Sequence, residues 1–226
     1  TGVDTNNLSY INGQVDSQSL TTVASIQTVV DSLAIIQSYA ADNTQTEPTV
    51  TNYADTGVTG VDANNLSEVN GQVDSQSLTT VAGIQTVVDS LAIIQSYAAD
   101  NTQTAPTVTN YADIGVTGVG ATNLNEINGQ VGSQSLTTVA AIQTLTDSVN
   151  VIQSYAADNT QPAPSVSGYA DFGVTGVDAN NLAEINAQID SQSLTSVASI
   201  QTLIDSLTVI QNYAVDNTQT APSVID

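Results

Sequence analysis

The fold class predicted for this chain is an all-α tandem array, and three observations predict it: a strict internal repeat, a helical hydrophobic period and a long segment without helix breakers. Thr1-Gly2-Val3-Asp4 recurs as Thr59-Gly60-Val61-Asp62, Thr117-Gly118-Val119-Gly120 and Thr175-Gly176-Val177-Asp178, so the period is 58 residues with no insertion. The copies are residues 1–58, 59–116, 117–174 and an incomplete 175–226. Copies one and two differ at six positions: Thr5/Ala63, Tyr10/Glu68, Ile11/Val69, Ser25/Gly83, Glu47/Ala105 and Thr56/Ile114. Recent duplication explains such closeness, and both ends fall in mid-phase, as expected of a segment from a longer array.

Three helices are expected in each copy. Asp4 precedes Leu8, Ile11 and Val15 at helical spacing, with Val3 placed to staple onto Leu8, so a first short helix starts there and Gly13 lies near its end. A second helix starts after Ser19. It carries Leu20, Val23, Ile26, Val30, Leu33, Ile36 and Ala40 in steps of three and four, and reaches Ala41 after about 33 Å. Asp42-Asn43-Thr44-Gln45 and Pro48 break it, because Asn favours helix ends and the residue before proline avoids the helical region. Pro48-Thr49 open a third helix, Val50 to Asp55, which Gly57 ends with a left-handed residue.

The alternative is a β-solenoid, since Thr28-Val29-Val30 and similar stretches have strand propensity. The 22 residues of Leu20 to Ala41 contain no Gly or Pro and no alternation, which suits a helix and is too long for a typical strand. Val29, Ala34 and Ile35 widen the apolar arc past half the circumference, so this helix needs cover on more than one side. Neighbouring copies are the expected cover, with the units stacked as a rod or superhelix, because a 58-residue unit alone is near the lower size limit for stability.

With 22 acidic residues and no Lys, Arg or His, the chain carries a net charge of −22, and phosphate backbones and anionic lipid are excluded as main partners. Hydrophobic residues make up 40% of it, which calls for a folded core rather than an acidic tail. No run approaches a membrane span, the start lies inside a repeat and shows no signal peptide, and the absence of cysteine excludes disulfide and thiolate-metal scaffolds. Without His, Cys, Lys or Arg the usual bases, the thiol and amine nucleophiles and the side-chain cations are missing. The expectation is therefore a protein that is not an enzyme.

Oxygen ligands suit calcium, and Asp42, Asp55 and their copies Asp100, Asp113, Asp158 and Asp171 are the candidate ligands, although no segment matches a known calcium loop. Asp4 and Asp16 are weaker, because Gly120 and Gly132 replace them in copy three. Asn7 and Asn65 head formal N-glycosylation sequons, and the many Ser and Thr leave O-linked sugar open. Gln37, with Gln95, Gln153 and Gln211, falls inside the apolar arc; its amide is either wet at an open helix end or buried and setting helix register. Tyr39 and Tyr53 are expected to pack with their hydroxyls at the surface, and Tyr10, replaced by Glu in the other copies, to be exposed and uncommitted.

The string from Pro106 to Val119, Pro-Thr-Val-Thr-Asn-Tyr-Ala-Asp-Ile-Gly-Val-Thr-Gly-Val, followed by Asn123-Leu124-Asn125-Glu126-Ile127-Asn128, resembles repeats of very large surface adhesins of aquatic Gram-negative bacteria. The resemblance covers every copy. It implies an extracellular or cell-surface protein in which tandem helical units hold a binding domain away from the cell or build matrix fibres, with neighbouring repeats, and other copies in a fibre, as partners. A distant similarity to three-helix albumin-binding modules keeps a repeated protein- or glycan-binding module as the alternative. A module of that kind calls for an exposed apolar patch every 58 residues.

Overall fold

The computed structural model describes residues 2–223, and among these the chain is all helical, with no strand; the β-solenoid is thereby set aside. The first copy forms α1 (Leu8–Ser17), α2 (Val23–Ala41) and α3 (Val50–Asp55), and the second forms α4 (Leu66–Ser75), α5 (Val81–Ala99) and α6 (Val108–Asp113). The third forms α7 (Leu124–Gln134), α8 (Val139–Ala157) and α9 (Val166–Asp171), and the fourth α10 (Leu182–Gln192) and α11 (Val197–Val215).

Two compact bodies can be distinguished, Thr1–Ser96 with Thr109–Gly115 and Tyr97–Val108 with Val116–Asp226. In the first, α2 lies against α1, α3 and α4. In the second, α8 lies against α7, α9 and α10, and α10 against α11. The long helix of one copy is thus covered by both short helices of its own copy and by the first helix of the next. This is the multi-sided cover that its wide apolar arc requires. Val29, Val30, Leu33, Ile36 and Ala40 are buried on α2, as are Ile142, Leu145, Val149 and Ile152 on α8, whereas Ala34 faces solvent.

Local chemistry sets the helix ends. The Asp4 carboxylate accepts the N–H groups of Asn6 and Asn7 at 2.7 and 3.2 Å, while Asn7 Oδ1 accepts the Asp4 N–H at 2.9 Å, so this reciprocal pair leads into α1. Val3 and Leu8, the expected staple, remain 45% and 47% exposed. Gly13 does not end the helix, which runs through it to Ser17.

The start of the long helix also differs from expectation. Ser19 adopts a left-handed φ of +54° and belongs to the terminator of α1: its N–H bonds Asp16 O, and the Leu20 N–H bonds Val15 O at 2.9 Å. Leu20 fits the helical wheel but is the residue after the terminator, and α2 starts three residues later, with Thr22 Oγ1 capping the Ser25 N–H at 3.1 Å. Ser77, Ser135 and Ser193 repeat the left-handed turn at φ of 50–52°. The third helix forms as expected. Thr49 and Asn52 make a full capping box, and Gly57 follows at φ +78°.

Candidate functional site

The most elaborate polar chemistry lies at the junctions between consecutive copies, and it is the same in both compact bodies. In the first, the Tyr53 hydroxyl donates to Asn70 Oδ1 at 2.6 Å, and Asn70 Nδ2 donates to Pro48 O at 2.9 Å. In the second, Tyr169 donates to Asn186 Oδ1 at 2.5 Å, and Asn186 Nδ2 donates to Pro164 O at 3.1 Å. Both tyrosines are fully buried. The expectation of a hydroxyl reaching the surface is overturned: the ring fills the interior and the O–H is satisfied by an amide from the next copy. Burial raises the pKa of both phenols, that of Tyr53 further through the nearby Tyr39 and Glu47 and that of Tyr169 through Tyr155.

Further contacts surround this lock. Asn43 Nδ2 donates to Asp74 Oδ2 at 2.9 Å and Asn159 Nδ2 to Asp190 Oδ2 at 2.8 Å. Gly132 stands where those aspartates would be in copy three, and a Cβ built there would meet Asn101 Cβ at 3.1 Å. Gln37 is half-buried, and its Nε2 donates to Thr79 O of the next copy at 3.2 Å, so it is partly wet and still ties one copy to the other.

The position held by Tyr10, Glu68, Glu126 and Glu184 is not uncommitted. Tyr10 packs against the buried cluster of Ile11, Val29, Val30 and Leu33, as Val81 of the next copy does, and its hydroxyl donates to Thr56 O; burial pushes its pKa up to about 12, against the lowering effect of that bond. Glu126 Oε1 accepts the Val197 N–H at 3.0 Å, so a carboxylate from copy three caps the first turn of α11 in copy four. A carboxylate suits that end of the helix because the unpaired N–H groups there carry partial positive charge.

The calcium candidates hold structural duties. The Asp42 carboxylate accepts the Thr44 N–H and hydroxyl and the Gln45 amide at 2.8–3.0 Å, closing the turn after α2. Asp100, Asp158 and Asp216 repeat the turn. The Gln45 amide and then the Thr44 groups hold the Asp42 carboxyl below its usual range; for Asp158 the Thr160 N–H has the largest effect. Asp55 Oδ2 accepts the Ser32 hydroxyl at 2.8 Å, as Asp113 does from Ser90, and Asp171 accepts Gln134 Nε2 at its backbone oxygen at 3.3 Å. Among the described residues no three acidic side chains gather so as to hold a metal ion.

The sequon residues are likewise engaged. Asn65 is 7% exposed, its Oδ1 accepting the Asp62 N–H at 2.9 Å and its Nδ2 donating to Gly60 O at 2.8 Å. Asn7 makes the same bonds to Asp4 and Gly2. The residue that sequence reasoning missed is Asn70. Its local sequence names no partner, yet Asn12, Asn70, Asn128 and Asn186 are identical in every copy while the neighbouring positions change, and that constancy was the available signal.

Two clefts carry polar side chains. One of about 320 Å³ is lined by Asp147, Ser148, Pro162, Ser165 and Asp171, and one of about 340 Å³ by Asn6, Tyr10, Gln37, Thr79 and Val81. They offer only carboxylates, hydroxyls and amides. No family model matches the chain, and no curated protein or solved structure matches it either.

Proposed function

We propose that this chain is a structural spacer in an extracellular bacterial adhesin or surface fibre, acting through the number of its copies rather than through a ligand site. The observation that carries this reading is the repeated junction: Tyr53–Asn70–Pro48 and Tyr169–Asn186–Pro164 join consecutive copies by the same atoms. A further copy then needs no new contact chemistry, and length changes by duplication alone. The carboxylates of Asp42 and Asp55 are engaged in a turn and in a bond to the Ser32 hydroxyl.

The setting draws on the resemblance to adhesin repeats and on composition. A chain without Lys or Arg gives trypsin-like enzymes nowhere to cut, and a charge of −22 keeps it from sticking to an anionic cell surface. A repeated binding module fits less well. The exposed large hydrophobics among the described residues are Val3, Leu8, Val23, Val151, Val166, Ile210, Tyr213 and Val215, and they do not recur at the repeat period.

The test is to delete two of the four copies within the native protein and measure attachment and reach. The spacer reading expects shortened reach with the adhesive contact itself retained. Loss of attachment that tracks one particular copy at unchanged reach would show that the segment binds something, and the reading would fall.

A further inference from the structure

Copy three departs from the first two at one cluster between α8 and α9. In copies one and two the Asn52 and Asn110 amides donate to Ser32 Oγ and Ser90 Oγ at 3.1 Å, and each serine donates onward to Asp55 or Asp113 at 2.8 Å. Gly168 stands at the asparagine position in copy three, so the amide donor is missing there. The serine of that copy, Ser148, is only 9% exposed and its hydroxyl makes neither bond. Among the described residues no fully enclosed side-chain polar atom lacks a partner, so the unbonded Ser148 Oγ keeps its accessible surface toward the cleft of about 320 Å³ that it shares with Gly168. A Cβ built on Gly168 would lie 4.0 Å from that oxygen, which therefore faces the place of the missing side chain. Two further exchanges shape the same cleft: Val151 replaces Ile35 and Ile93, and Pro162 replaces Thr46 and Thr104. Val151 is 38% exposed, whereas both isoleucines are half-buried.

From this we infer that the copy-three cleft is a binding site for a small organic ammonium ion, whose N–H donates to Ser148 Oγ in place of the asparagine amide. The missing partner in this copy is a nitrogen donor, which fixes the ligand's polar group. Its charge follows from Asp147 and Asp171, which line the cleft in a chain that has no Lys, Arg or His to neutralise them. Val151, Pro162 and Pro164 supply an apolar wall, which calls for a short aliphatic stem on the ammonium group. A neutral alcohol would leave both carboxylates unanswered. A divalent metal fits less well, because among the described residues no three metal-ligating side chains gather, and the Val151 and Pro162 side chains offer it no oxygen. The inference does not rest on the spacer reading, since it needs one copy rather than an array.

The experiment is a titration of the 226-residue chain with n-butylammonium chloride at neutral pH, followed by amide magnetic-resonance shifts. Ionic strength is held fixed, because screening alone would move the signals of so acidic a chain. One saturable site per chain is expected, with the Ser148 and Gly168 amides among those that shift, and n-butanol should not reproduce it. Gly168→Asn restores the residue of copies one and two, and its Cβ would meet only ordinary contacts at 3.5 and 4.0 Å, so the variant should fold and lose the site. Ser148→Ala should weaken binding about tenfold at unchanged helical circular dichroism, since one hydrogen bond to a charged group is lost. Nα-acetyl-lysine methylamide, titrated in the same way, separates the two sources of such a cation. Its binding supports a site that also takes lysine side chains, and its failure beside a binding butylammonium supports a site for free amines. Absence of saturable butylammonium binding overturns the inference. So do shifts spread evenly over the four copies, as diffuse counter-ions would give, or an affinity unchanged in Gly168→Asn.

Discussion

At the scale of the residue, the molecule depends on a few amides and phenols that join one copy to the next. Tyr53→Phe leaves Asn70 Oδ1 buried without its donor at 2.6 Å and should lower stability by about 1–2 kcal/mol in denaturant titration. An unchanged unfolding midpoint would mean that the bond contributes nothing. Phenols also set the alkaline limit. Tyr10 has a folded pKa of about 12, above the usual value near 10, so its protonated form is favoured by folding and the stability it contributes is complete below pH 10 and lost as pH rises to 12. Tyr53 and Tyr169 shift in the same direction. Phenolate absorbance and loss of helical circular dichroism should therefore rise together in alkali; phenolates appearing near pH 10 in a fully helical chain would contradict this. These roles were poorly legible in the sequence, because a Tyr or Asn at a helical spacing does not reveal whether its partner lies in another copy.

At the scale of the element, helix identity was legible and helix ends less so. The Pro48-Thr49 start and Gly57 stop placed α3 well, since the capping box and the left-handed glycine are local chemistry. The boundary before α2 was misread because Leu20 continues the apolar period by coincidence, while a left-handed serine gives no signal comparable to glycine's. Ser135, at φ +52°, tests this. Ser135→Gly should stabilise by up to about 1 kcal/mol and Ser135→Val should destabilise by more, because a β-branched residue is strained there. Equal effects from both, read from thermal midpoints, would argue that the turn is not left-handed in solution. The cap on the other side is tested by Thr138→Ala, which removes the acceptor of the Ala141 N–H at 3.3 Å and should cost about 1 kcal/mol.

At the scale of the whole molecule, charge and copy number decide stability. With 22 carboxylates and no basic side chain, added salt should raise the thermal midpoint by screening repulsion, and mild acid should do the same. The gain reverses at lower pH. The carboxyls of Asp42, Asp100, Asp158 and Asp216 are held below the ordinary range by their turn bonds, so their stabilisation is present above the unfolded value near 3.9 and is lost as pH falls through their lower folded values. A midpoint indifferent to ionic strength, or one that only falls from neutral pH downwards, would contradict the electrostatic account. The repeat and the helical class could be read from the sequence, whereas the junction became visible only once Tyr53 and Asn70 were brought together in space.

The central claim is that copies are stabilised by the copies beside them, and it is tested most directly by the unfolding free energy of residues 59–116 alone, of residues 1–116 and of the full chain, each measured at high dilution. A lone copy exposes the apolar faces that junctions cover and has no partner for Asn70 or for the Gln37–Thr79 bond. The account predicts a steep rise in stability from one copy to two and a further rise in the full chain, with Tyr53→Phe lowering stability in the two-copy piece. A single copy as stable as the whole chain would contradict it.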